Sequence, residues 1–131
     1  MQYRIAFIMG LLCLSNPLHA EREAFTLPNG DRYEGDVIDG VLSGSGVYEW
    51  ADGDRYEGEF SNDLPSGQGV YIWADGRRYE GEFVDGKRQG YGSLTWVNGD
   101  VYKGDFFDNQ MQGNGTFRWA KGDRYAGSFM A

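Results

Sequence analysis

The chain has almost none of the side chains on which enzymes most often rely. Its 131 residues hold one cysteine, Cys13, and one histidine, His19. Both fall in residues 1–20, which run from a short positive start at Arg4 through an apolar stretch, Ile5 to Leu14, to the small residue Ala20. That order is the order of a secretory signal peptide cleaved after Ala20, and its apolar stretch is too short to span a bilayer. The expected location is therefore outside the cytoplasm, in a periplasm or the medium. Once residues 1–20 are removed, the chain lacks thiol and imidazole, which removes disulfides, zinc sites and the common nucleophile–base pairs. Carboxylate pairs remain as a catalytic option, but every acid is one member of a repeated row. The expectation is a protein without catalytic activity, metal or cofactor.

Basic residues are also scarce. Twelve Lys and Arg face twenty Asp and Glu, a net charge of −8 that becomes −9 when Arg4 leaves with the leader. Nucleic acid binding draws most of its affinity from basic patches, so this balance argues against it. It argues more mildly against anionic membranes. Helix signals are missing as well. Twenty of the 21 glycines lie after residue 20, a composition that penalises helix throughout.

What is present is a repeat. Tyr33, Tyr56, Tyr79, Tyr102 and Tyr125 stand 23 residues apart with no insertion or deletion. Gly35, Gly58, Gly81, Gly104 and Gly127 keep the same register, as do Trp50, Trp73, Trp96 and Trp119 and the Gly-x-Gly pairs from Gly44/Gly46 to Gly113/Gly115. A fixed period of this length signals a repeat architecture. The array, residues 21–131, divides into a half repeat (25–29), four full repeats (30–52, 53–75, 76–98 and 99–121) and a partial one (122–131).

Each repeat reads as a β-hairpin. Tyr56, Gly58 and Phe60 alternate with Arg55, Glu57 and Glu59, the period of a half-buried strand, and Gly69 to Trp73 returns. Asp39-Gly40 and Asp85-Gly86 mark turns inside repeats; Asn29-Gly30, Asp52-Gly53, Asp75-Gly76, Asn98-Gly99 and Lys121-Gly122 mark turns between them. The fold class is all-β, about ten short strands in one elongated antiparallel meander.

Alternation assigns the two faces. One carries the tyrosines and tryptophans with Phe60, Phe83 and Phe106, over glycines whose missing side chains let rings lie against the backbone. These aromatics form the core, and any part left uncovered is a binding strip. The other face carries rows of Arg32, Arg55, Arg78 and Arg124, then Glu34, Glu57, Glu80 and Lys103, then Asp36, Glu59, Glu82 and Asp105. Arg and Glu rows are expected to pair in solvent, each pair contributing about 0–1 kcal/mol. The last strand, near Phe129, leaves an open edge that invites pairing with a second copy.

Tyr-Glu-Gly-Glu-Phe, followed about eight residues on by Gly-x-Gly, resembles the MORN repeat family over essentially everything after residue 24. The resemblance implies a non-catalytic scaffold for protein association, and in some members phospholipid binding. The Tyr-Glu-Gly core stands at Tyr33, Tyr56 and Tyr79, while Lys103 and Ala126 replace the Glu in later copies. The family's Gly-Lys before the paired glycines survives only as Gly86-Lys87, which removes much of the basic character that would attract lipid headgroups. The leading expectation is protein–protein interaction through the aromatic strip and sheet edge. The alternative is a phospholipid-associated envelope protein using a basic spot formed by Arg77, Arg78, Lys87 and Arg88. The run Gly81 to Lys87 fits the start of a phosphate-binding loop, but Arg88 stands where Ser or Thr is needed and no helix follows.

Overall fold

A computed structural model describes residues 21–130. The expected leader, residues 1–20, lies outside the described residues. Ten strands follow in order: β1 (Glu21–Thr26), β2 (Arg32–Ile38), β3 (Val41–Glu49), β4 (Arg55–Ser61), β5 (Leu64–Ile72), β6 (Arg78–Val84), β7 (Lys87–Thr95), β8 (Val101–Phe107), β9 (Gln110–Arg118) and β10 (Arg124–Phe129). They form one antiparallel sheet in which every strand pairs with its sequence neighbours. The opening half repeat is longer than residues 25–29, since β1 pairs with β2 from Glu21↔Val37 onward.

Four hairpins are closed by two-residue turns with positive φ at both positions: Asp39/Gly40, Asn62/Asp63, Asp85/Gly86 and Asp108/Asn109. That conformation matches the twist of the flanking strands and favours Gly, Asn and Asp. The two glycine-free turns carry a weaker sequence signal, because the strongest marker of this geometry is a glycine at the second place.

The two glycines of each Gly-x-Gly have different tasks. Along β2 and β3 the register shifts between Gly35↔Gly46 and Val37↔Leu42, so Asp36 alone faces Ser43, Gly44 and Ser45. This is a bulge of the return strand, and Gly44 turns it with φ of 95°. The Asp36 carboxylate fills it, accepting the Ser45 N–H at 2.9 Å. Glu59 and Asp105 repeat this with Gln68 and Asn114, at 2.6 and 3.0 Å. The second glycine lies under a ring. A Cβ at Gly46, Gly69, Gly92 or Gly115 would fall on the ring of Tyr33, Tyr56, Tyr79 or Tyr102 respectively.

Those rings make a core without a second layer. Each of these tyrosines donates its hydroxyl to the carbonyl of the residue facing the bulge, Tyr33 to Asp36 and Tyr56 to Glu59 at 2.7 Å. Phe60 then stands edge-on between Tyr33 and Tyr56, with centroids 5.4 and 5.1 Å away. Phe83, Phe106 and Phe129 continue the pattern to Tyr125. Edge-to-face pairs of this kind contribute about 0.5–1.5 kcal/mol beyond their buried area. Each repeat's ring is thus covered by the next repeat's phenylalanine. Tyr56, Tyr79 and Tyr102 are completely buried as a result.

Candidate interaction surfaces

A second row of rings runs along the aromatic face, at the ends of the return strands. Tyr48, Trp50, Tyr71 and Trp73 follow one another at 4.7, 5.3 and 4.8 Å, and Trp96, Phe117 and Trp119 at 5.3 and 4.7 Å. The row breaks between Trp73 and Trp96, where Leu94 occupies the position of Tyr71. Burial fades along it. Trp50 is 3% exposed and its buried indole N–H has no acceptor among the described residues; Trp73 and Trp96 are part-buried, and Trp119 is 37% exposed. Tyr125, at the end of the first row, is 44% exposed.

The first part of the second row rests on a polar anchor that sequence reading missed. Tyr48 donates to Asp31 Oδ2 at 2.7 Å, and the other oxygen of Asp31 accepts the Ala51 N–H at 2.7 Å. Asp54 binds Tyr71 and Ala74 in the same way, at 2.7 and 2.8 Å. In the third full repeat the two positions hold Arg77 and Leu94. The Asp-Tyr spacing of 17 residues is legible in the sequence, but only the meander places the two side chains together.

Arg77 and Arg88 bring cations onto this aromatic face. Their guanidinium carbons lie 4.7 and 5.2 Å from the centre of the Trp73 ring, within cation–π range. Arg77 also pairs with Asp75 at 2.9 Å, and Arg88 donates to the Asn109 carbonyl at 2.7 Å. Backbone and side-chain hydrogen bonds from Arg77 hold the Asp75 carboxyl below the usual carboxylate range.

The structure does not gather the four expected headgroup contacts into one spot. Strand alternation sends Arg78 to the charged face, where it pairs with Glu80 at 3.1 Å. Lys87 pairs with Asp108 of the next hairpin at 2.8 Å, and that bond holds its ammonium above the ordinary lysine range.

On the charged face, the expected pairing of Arg and Glu rows holds in the first three full repeats with one difference. Arg55 pairs with Glu57 at 3.1 Å as Arg78 does with Glu80, but Arg32 reaches across to Glu49 at 2.6 Å. In the next acidic row Asp36, Glu59 and Asp105 accept backbone N–H groups of the bulges, and Asp36 also pairs with Arg22 at 3.3 Å. A lone apolar/polar alternation assigns a face and cannot reveal a bulge that bends the side chain back over its partner strand.

Burial pushes the phenols of Tyr33, Tyr56, Tyr79 and Tyr102 above the ordinary tyrosine range, with nearby carboxylates adding to the effect. They are neutral donors locked into the core. Among the described residues no helix is long and apolar enough to cross a membrane.

The comparison with curated proteins returns no match. The model of the MORN repeat matches four consecutive stretches, residues 33–55, 56–77, 79–101 and 102–124. Each begins at the tyrosine that opens a ring-over-glycine unit and includes the hairpin that follows it. Ten strands in one open meander, built from 23-residue units of this kind, place the chain in the MORN repeat family, a non-enzymatic repeat module associated with protein or membrane-lipid interactions.

Proposed function

We propose that the chain is an exported, non-catalytic module that holds a protein partner on its aromatic face. The observation that carries this reading is the gradient along the tryptophan row. The first-row rings from Tyr33 to Phe106 are consumed by the core, whereas Trp73, Trp96 and Trp119 keep open surface on the same side. Tryptophan flanked by guanidinium groups and other rings is the composition of protein-binding hot spots. β10 adds a second surface, since among the described residues it pairs on one side only, and an open edge is a template for a further strand.

A photo-crosslinking amino acid at Trp96 and Trp119, with one at Glu80 on the charged face as control, tests the reading in the intact exported protein. Protein adducts from the tryptophan positions and none from Glu80 support it. Adducts to lipid alone, or only from Glu80, overturn it. N-terminal sequencing of the exported chain checks the leader, with Glu21 expected first. Light scattering across a concentration range shows whether a second copy occupies the β10 edge.

A further inference from the structure

The charged face changes character at its end. Across β2 to β6, one row of directly opposed residues reads Arg32, Glu49, Arg55, Ile72, Arg78. The row beside it reads Glu34, Val47, Glu57, Val70, Glu80. Every arginine there has an acid beside it or across from it. Across β8 to β10 the same two rows read Val101, Arg118, Arg124 and Lys103, Thr116, Ala126. The acid positions of the earlier repeats hold Lys103 and Ala126.

Three cations are therefore left together without counter-charge. Arg118 and Arg124 are directly opposed, which places their Cβ atoms about 4.5–5.5 Å apart, and Lys103 sits diagonally to Arg118 at about 7–8 Å. None of the three forms a salt bridge or a side-chain hydrogen bond among the described residues. The acids close to them in sequence have other partners, Asp105 the Asn114 N–H and Asp123 the Lys121 ammonium. Like charges directly opposed on a sheet destabilise it, so this arrangement costs the free protein stability.

The cations also line a hollow. Val101, Lys103, Thr116, Arg118 and Arg124 enclose a concavity of about 210 Å³ that contains no acid. Two further concavities hold both signs, Arg32, Glu34, Glu49 and Arg55 in one and Arg55, Glu57, Arg78 and Glu80 in the other. In a chain of net charge −8, an acid-free basic hollow is a local inversion of the protein's own field.

We propose that Lys103, Arg118 and Arg124 form a binding site for a doubly charged oxyanion of the phosphate monoester type. A phosphate carries about −1.5 to −2 near neutral pH, which matches three converging cations better than the single charge of a carboxylate. Guanidinium groups bind its oxygens in pairs and an ammonium adds a point charge. The Thr116 hydroxyl, between Lys103 and Ala126 in its row, supplies a further donor. The site lies on the face opposite the tryptophan row and stands independently of the partner proposed there.

The test is a titration of the intact exported protein with sodium phosphate and with glycerol 3-phosphate, followed by amide NMR at constant ionic strength set with sodium chloride. Saturable shifts centred on Lys103, Thr116, Arg118 and Arg124 are expected. Replacing Arg118→Gln and Arg124→Gln together should weaken the apparent affinity by at least roughly tenfold, the equivalent of about 1.4 kcal/mol. It should also raise the melting temperature of the free protein, because the like-charge opposition is relieved. The control Arg32→Gln/Arg78→Gln, on the paired part of the face, should leave the titration unchanged.

Sedimentation with vesicles of phosphatidic acid in phosphatidylcholine separates two sources of the same group. Saturation by glycerol 3-phosphate assigns the site to a soluble phosphate, and vesicle binding lost in R118Q/R124Q without a soluble response assigns it to a phosphate displayed on a surface. Shifts spread evenly over all basic residues, or a titration unaffected by R118Q/R124Q, would overturn the proposal.

Discussion

In the second full repeat, Asp54 accepts the Tyr71 hydroxyl and the Ala74 N–H, and the ring row above it is continuous. In the third, Arg77 and Leu94 hold those two positions, the row breaks, and the guanidinium group stacks on Trp73 instead. The turns differ in the same complementary way. Asp63, in the second repeat, accepts the N–H of Leu42 from the repeat before it at 2.7 Å. Gly86, in the third, has no side chain to offer, and the residue beneath it is Pro65, which has no N–H to satisfy. Asn109 and Arg88 restore the bonded version at 2.9 Å. The backbone is common to both repeats, and substitutions within it come as matched sets. The reason is that a buried polar group costs little when paired and about 1–3 kcal/mol when orphaned.

What the two repeats share is the most sensitive to change. Gly69→Ala would drive a methyl group into the Tyr56 ring, and a loss of about 3 kcal/mol is expected in denaturant unfolding. Gly92→Ala should match it in the third repeat. Gly122→Ala, with nothing within 4 Å of its Cβ position, should cost only about 1 kcal/mol for its positive φ.

Alkali tests the shared tyrosines. Their folded pKa values lie above the unfolded one. The stability they confer is thus fully present below about pH 10, the unfolded tyrosine value. It is lost as pH rises beyond that towards the folded values, because the unfolded chain binds fewer protons there. Phenolate absorbance from the buried rings should appear together with loss of β-sheet circular dichroism; phenolate growth well ahead of unfolding would contradict the core assignment.

Pro65→Ala sharpens the comparison of turns. It creates an N–H under Gly86 without an acceptor, and a loss of about 1–2 kcal/mol is expected. Adding Gly86→Asn, at a φ of 84° that asparagine tolerates, should recover much of it, because Asn109 serves Arg88 in that way. A double-mutant cycle with no coupling would remove the matched-set explanation.

The smallest effects concern the anchor. Tyr71→Phe should cost about 1 kcal/mol, since Asp54 loses one donor. Phe117→Tyr in the fourth repeat should gain about 0.5–1 kcal/mol, because Asp100 already holds the Ala120 N–H there and lacks only the hydroxyl. Equal and negligible changes in both would mean that the anchor hydroxyl is not a stabilising element.

Much of this was open to a reader of the chain alone. The 23-residue period, the alternation of Tyr56, Gly58 and Phe60 with Arg55, Glu57 and Glu59, and the glycine-bearing turns determine an all-β meander of ten strands, because local spacing and turn chemistry leave little else. The same reading assigns rings to one face and charge to the other. It stops at contacts between residues far apart in the chain. Asp54 meets Tyr71 17 residues on, Asp63 meets Leu42 from 21 residues away, and Arg88 lies over Trp73. The bulge decided that Asp36 and Glu59 each turn a carboxylate oxygen to the backbone of the return strand. Cross-strand registry decided that Arg118 faces Arg124. Period and alternation are properties of the chain, whereas neighbours across strands exist only once the sheet has closed its register.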